Sequence, residues 1–173
     1  MTDPELAQAL RNTALLEGEF ILRSGRRSRY YFDKYLFETQ PVLLREVARR
    51  LAAHVTAEVD RIAGAELGAV ALAAATALET GKPFVIVRNA KKAGYGTDKL
   101  IEGRLEPGEC VLLVEDVCTS GGQALEACRT LQEAGACVAG VVVTIDRQEG
   151  GREAIEQAGY RFTALFTKSD LGM

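Results

Sequence analysis

Residues 111–123 read VLLVEDVCTSGGQ. The apolar run Cys110–Val114 stops at two adjacent acids, Glu115 and Asp116, and Thr119, Ser120, Gly121 and Gly122 follow within a few residues. A strand buried on both faces has no use for paired carboxylates in its middle, so the acids are expected at its end. In an open α/β sheet, ligands gather beyond the carboxyl ends of the strands. The glycines lead into a helical pattern, GGQALEACRTLQEAG (121–135). A helix N-terminus offers free N–H groups and a partial positive charge, which suits a phosphate. Glycine lets the backbone come close to such an anion, and Thr119 and Ser120 add hydroxyl donors. Carboxylates repel phosphate but accept hydrogen bonds from sugar hydroxyls. Acids for ribose and amides for phosphate, a few residues apart, describe a ribose 5-phosphate site. The structural alternative is a strand followed by a capped helix with incidental acids.

Outward from this stretch, strand and helix alternate. RIAGA (61–65), PFVIVR (83–88), CVLLVE (110–115), CVAGVVVTI (137–145) and YRFTALF (160–166) are predicted strands. They are continuously apolar, as in a parallel sheet covered on both faces. Between them, GAVALAAATALETG (68–81) is predicted as an Ala-rich helix closed by Gly81, and EAIEQAG (153–159) as a short helix. Upstream, Thr2 or Asp3 before Pro4 marks a helix start. FILRS and RYYFDKY are predicted as short strands, and Pro41 to about Val55 as a helix. Residues 89–103, NAKKAGYGTDKLIEG, show no regular pattern. A segment of that length is usually functional or disordered. The expected architecture is a single α/β domain over 1–173, a mostly parallel twisted sheet flanked by helices, with a small N-terminal hood over 1–40.

Composition narrows the function classes. The chain has 173 residues, 47% hydrophobic and 26% charged, which is ordinary for one globular domain. A net charge of −3 argues against nucleic-acid binding. The four cysteines, Cys110, Cys118, Cys128 and Cys137, form no C-x-x-C pair, and His54 is the one histidine, so a zinc site is not expected. Cysteines within apolar runs suggest a reducing compartment. The N-terminal stretch lacks the pattern of a signal peptide, and no apolar run is long enough to span a bilayer. A cytoplasmic protein without membrane contact is expected.

The opening stretch resembles the PRPP-binding motif of type I phosphoribosyltransferases. Three further stretches resemble the orotate phosphoribosyltransferases: ILRSGRRSRYYFD (21–33), VRNAKKAGYGTDKLIEG (87–103) and TIDRQEGG (144–151). The resemblance covers roughly residues 5–168, with the motifs in family order. It implies transfer of a phosphoribosyl group from PRPP to orotate, giving orotidine 5′-monophosphate and pyrophosphate, with Mg²⁺. Glu115 and Asp116 would hold the ribose hydroxyls. Thr119, Ser120, Gly121, Gly122 and Gln123 would wrap the 5′-phosphate, and Val117 and Cys118 would belong to the same PRPP site. Arg88, Lys92 and Tyr95 would meet the pyrophosphate side of PRPP. Arg147 would pair with the orotate carboxylate, as a guanidinium fork can, with Arg23, Tyr31, Phe32 and Thr119 around the same base. Lys92, Asp116 and Arg88 are the implied catalytic residues. Mg²⁺ would be held mainly by PRPP and water, with no protein ligand. A homodimer is implied, with the 89–103 loop reaching the neighbouring site.

The chain departs from the family at several points. Arg23 and Asn89 stand where lysine is common, and Gly68 falls where some members place a lysine near the pyrophosphate. Tyr95 sits where histidine is frequent, and Gln123 replaces a small or hydroxyl residue. Tyr31 and Phe32 are neighbours on a strand, so their side chains should face opposite ways. Cys118 is expected to pack rather than react, although a nearby helix N-terminus could lower its pKa. Two rival readings remain: transfer to a base without a carboxylate, for which Arg147 would have no purpose, and a PRPP-sensing regulator that binds nucleic acid through RSGRRSR (23–29).

Overall fold

The computed structural model describes residues 1–21, 25, 27–90 and 99–173. Helix α1 (Asp3–Ala14) is closed at its start by a capping box of Thr2 and Glu5 with Pro4 in the first turn. It buries Leu6, Ala7, Leu10 and Ala14 at helical spacing. The chain then turns into a hairpin of β1 (Leu15–Ile21) and β2 (Arg27–Phe32), paired antiparallel with Leu15 opposite Phe32. The strand expected over RYYFDKY ends at Phe32. Asp33 caps a short helix α2 (Lys34–Glu38), its Oδ1 accepting from Tyr35 N at 3.1 Å. That carboxylate diverts the chain from strand to helix. Helix α3 (Pro41–Ala52) follows, with proline in its first turn.

The main sheet begins at β3 (Arg61–Ala65). Helix α4 (Ala69–Thr80) comes next and stops at Gly81, which is left-handed at φ 70°. The sheet continues with β4 (Phe84–Val87), β5 (Ile101–Glu102) and β6 (Cys110–Cys118). Helix α5 (Gly122–Glu133), β7 (Cys137–Asp146), α6 (Gly151–Gln157) and β8 (Phe162–Thr167) complete the chain. The strand order is β5-β4-β3-β6-β7-β8, with all pairs parallel except the β5 edge.

Strand alternation sorts the sheet into two cores. Ile62, Leu112, Val114 and Val142 pack with α1, α2, α3 and α4 in one layer, which includes Leu6, Phe37, Leu51 and Leu72. Ala63, Leu113, Val141 and Val143 face the other layer with Cys128, Leu131 and Ile155 of α5 and α6. Both faces of the parallel strands are covered, which is why their sequences read as unbroken apolar runs.

The paired acids do not end the strand, as the sequence suggested. β6 runs through them to Cys118 because β7 is equally long and keeps pairing: Glu115 lies opposite Val143, Val117 opposite Ile145, and Cys118 opposite Asp146. β3, the other neighbour, makes its last pair with β6 at Val114. The acids therefore sit where β6 outruns one flanking strand, and a crevice opens there.

Candidate active site

Successive side chains of β6 point to opposite faces of the sheet. Asp116 turns toward the hood, where its carboxylate forms an ion pair with Lys34 at the start of α2. Glu115 lines a cavity of about 310 Å³ together with Val117, the Thr119–Gly122 loop and Gln123. Both acids are buried. Burial, and then the Asp116 charge beside it, push the Glu115 carboxyl well above the usual range. Its Oε2 has no hydrogen-bond partner among the described residues. An oxygen in that condition is poised to share a proton or accept one from a ligand hydroxyl.

The Thr119–Gly122 loop is held open by missing side chains. Gly121 is left-handed at φ 78° and caps α5, so the first amides of that helix face the cavity. Thr119 and Ser120 are exposed. From behind, Gly151 at the start of α6 packs directly on the loop, and a Cβ there would sit 2.5 Å from Thr119 O and collide with Cys118 Sγ. Gly151 was not foreseen as part of the site, because only its contact across the fold gives it a purpose. Cys118 itself is a packing residue: burial, then the Asp146 charge, push its thiol up to about 12. A nearby helix terminus does not activate it.

The departures at Asn89 and Gln123 have structural work. Gln123 Nε2 donates to Glu66 O at 3.1 Å, and Asn89 Nδ2 donates to the same carbonyl at 2.9 Å. Asn89 N also donates to Glu66 Oε1 at 2.8 Å. The start of α5, the turn after β3 and the end of β4 are thereby tied at one residue. Arg88 is drawn in by the same acid, with Nη1 3.8 Å from Glu66 Oε2 and 3.7 Å from Glu102 Oε1. Glu66 was not singled out in the sequence, since nothing local marks a turn acid as a hub.

Arg147 follows β7, and its N–H donates to Cys118 O at 2.9 Å, which locks the two strand ends together. Its guanidinium lies 5.8 Å from the Tyr30 ring of the hood and 3.2 Å from Glu149 Oε1. Its Nε is buried without a hydrogen-bond partner among the described residues. A guanidinium with a free buried donor is a ready seat for an anion. The hood hairpin confirms the alternation expected of Tyr31 and Phe32. Phe32 is turned into the core against Phe37, with ring centroids 6.2 Å apart. Tyr31 is 43% exposed and rests on Phe20, 5.7 Å away. Tyr30, which the sequence did not single out, is the hood ring that meets Arg147. Arg23, Lys92 and Tyr95 lie outside the described residues.

No group of three or more His, Cys, Asp or Glu side chains among the described residues is gathered to hold a metal. The acids at hand are Glu115 and Asp116, and Asp116 already has Lys34. Such a donor set fits a hard cation that brings its own oxygen ligands with a phosphorylated substrate.

A mostly parallel sheet with paired acids and a glycine loop at the end of a central strand defines the phosphoribosyltransferase class. A family model described as the phosphoribosyl transferase domain matches residues 37–160. Over 170 residues the chain is 48% identical to the orotate phosphoribosyltransferase of Methanocella arvoryzae, covering 98% of this chain and 97% of that protein. It is 47% identical over 157 residues to that of Pyrococcus abyssi, covering 89% and 86%. Among solved structures, the Mycobacterium tuberculosis orotate phosphoribosyltransferase in complex with Fe(III) dicitrate superposes with a TM-score of 0.89 at 33% identity, covering 99% of each chain. The chain belongs to the orotate phosphoribosyltransferase family.

Proposed function

We propose that this site transfers the 5-phosphoribosyl group of PRPP to orotate, releasing pyrophosphate and forming orotidine 5′-monophosphate. The observation that carries the reading is the cavity at the end of β6, lined by Glu115 and the Thr119–Gln123 loop, with Asp116 next to Glu115 on the strand and Arg147 N bonded to Cys118 O beside that loop. Asp116 and Glu115 offer acceptors for ribose hydroxyls, and Arg147 offers a free buried donor for a base carboxylate. In this arrangement the Thr119–Gln123 loop takes the 5′-phosphate on the amides of α5. Arg88, and Lys92 from the loop beyond the described residues, take the pyrophosphate.

The bond to pyrophosphate breaks at the anomeric carbon, and the ring nitrogen of the base takes its place. The sugar carries positive charge as the bond breaks, and the nearby Asp116 carboxylate stabilises it. Nothing in the reaction requires a protein nucleophile, so orientation and charge placement supply the rate. Mg²⁺, carried on PRPP oxygens and water, would add neutralising charge to the departing pyrophosphate. We further place the protein in the cytoplasm as a homodimer. Its four cysteines are free, which suits a reducing compartment, and no described helix is long and apolar enough to cross a membrane. Leu78 on α4 is 87% exposed and Val42 on α3 is also exposed, apolar surface of the kind a second subunit covers.

The test is to follow loss of orotate absorbance with PRPP and Mg²⁺ in the wild type and in Asp116→Asn. Turnover that requires PRPP and collapses in the variant supports the reading. An Asp116→Asn variant as fast as the wild type overturns the ribose assignment.

A further inference from the structure

Asp116 does not face open solvent. Its side chain is 2% exposed, and the Lys34 ammonium is the charge set against it. The same ammonium stands over Gly68. A Cβ built on Gly68 would lie 2.8 Å from Lys34 Nζ and would collide with Asp116 Oδ2. The hood, the turn before α4 and β6 thus converge on one ion pair, and the absent side chain at residue 68 leaves room for it.

The pair is lopsided. The Lys34 side chain is 28% exposed while its partner is sealed, so the ammonium closes the acid from the solvent side. Burial alone would lower the lysine, but Asp116 and, more weakly, Tyr35 and Glu115 outweigh it and raise it. Lys34 is therefore a firm cation in a crowd of acids that also includes Glu38. Asp116 Oδ1 already accepts from Val117 N, so a sugar hydroxyl that binds Oδ2 takes the place the ammonium now holds. An ammonium on a four-carbon stem can turn to a new acceptor at little cost, which a rigid guanidinium fork does less readily.

We infer that Lys34 is a partner-switching residue of this site: it screens and aims Asp116 while the sugar is absent, and turns to the pyrophosphate of PRPP when the ribose hydroxyls take Asp116. This rests on the reading of the site as one for PRPP. It gives the departure at Gly68 a meaning. The cation reaches the site from the hood, and a glycine at residue 68 is what admits it.

Calorimetric titration of the full chain with PRPP and, separately, with ribose 5-phosphate tests this, because ribose 5-phosphate has the sugar and the 5′-phosphate but no pyrophosphate. In Lys34→Met the Kd for PRPP should rise by about tenfold or more, and the Kd for ribose 5-phosphate by less than about threefold, since only the first loses a charge-assisted contact. Lys34→Arg should recover part of the PRPP affinity. Equal weakening of both ligands would mark Lys34 as structural, and no weakening of either would remove it from the site; each outcome overturns the inference. Should Lys34→Met fail to fold, the ε-carbon NMR signal of Lys34 in the wild type decides. It should shift with PRPP beyond its shift with ribose 5-phosphate, and an identical shift with both would refute the switch. Wild-type turnover of orotate separates the two levels. Without it the site reading fails, and with it an unaffected Lys34→Met sinks this inference alone.

Discussion

Glu38 ends α2 with its side chain 4% exposed and its Oε1 lacking a hydrogen-bond partner among the described residues. Burial, then the Asp116 charge, push its carboxyl from 4.5 up to about 8, with Lys34 pulling the other way and Asp33 adding to the rise. The folded protein thus keeps this proton over a range in which the unfolded chain has lost it. Between pH 4.5 and about 8 the folded state binds one more proton at this residue, so stability falls as pH rises through that window. At about 1.4 kcal/mol per pH unit the ceiling is about 5 kcal/mol by pH 8, and side-chain relaxation brings an expected value of about 2–3 kcal/mol. Glu38→Gln removes the proton and keeps the shape. Glu115 shifts in the same direction, but it is present in both proteins and cancels in the difference. Urea unfolding of wild type and variant at pH 5, 6.5 and 8 measures the effect. The variant should be close to wild type at pH 5 and gain on it steadily, reaching about 2–3 kcal/mol at pH 8. A difference that does not change with pH, or a variant that weakens toward pH 8, would refute the reasoning.

Other outcomes follow from the same geometry. Gly68→Ala places a methyl against Asp116 Oδ2, so kcat/KM should fall by about tenfold or more while circular dichroism stays native. Arg147→Ala should raise the KM for orotate and lower kcat/KM by about 10- to 100-fold, with Lys at the same position restoring little because it lacks the fork. Arg61, at the far end of β3, grips Glu109 through Nε at 2.9 Å and Nη2 at 2.6 Å. Arg61→Ala should cost about 2 kcal/mol in urea unfolding and leave kcat unchanged. Thiol titration at pH 8 should modify the exposed Cys137 well before Cys118 and Cys128, which burial holds at about 12.

The sheet was legible in the sequence because burial on both faces writes itself as continuous apolar runs. RIAGA, PFVIVR and CVAGVVVTI appear as strands within a residue or so of their predicted ends. The boundaries that moved are those decided by partners. β6 continues through Glu115 and Asp116 because β7 pairs with it there, and α2 replaces the end of a predicted strand because the Asp33 side chain caps it. Within the site, the glycine turn that leads from β6 into α5 was readable from its own residues. Lys34, Glu66, Tyr30 and Gly151 were not, since each acquires its role by meeting a segment distant in the chain. Asn89 and Gln123, which read as losses against the family pattern, both donate to the Glu66 carbonyl and hold the crevice together.

The site is proposed to serve a base that bears a carboxylate, and pyrophosphate release from PRPP, measured side by side with orotate and with uracil, decides it. Release should occur with orotate and be slower by about 100-fold or more with uracil, which leaves the buried Arg147 Nε without a partner. Comparable rates with the two bases, or faster release with uracil, would rule out a carboxylate-reading site.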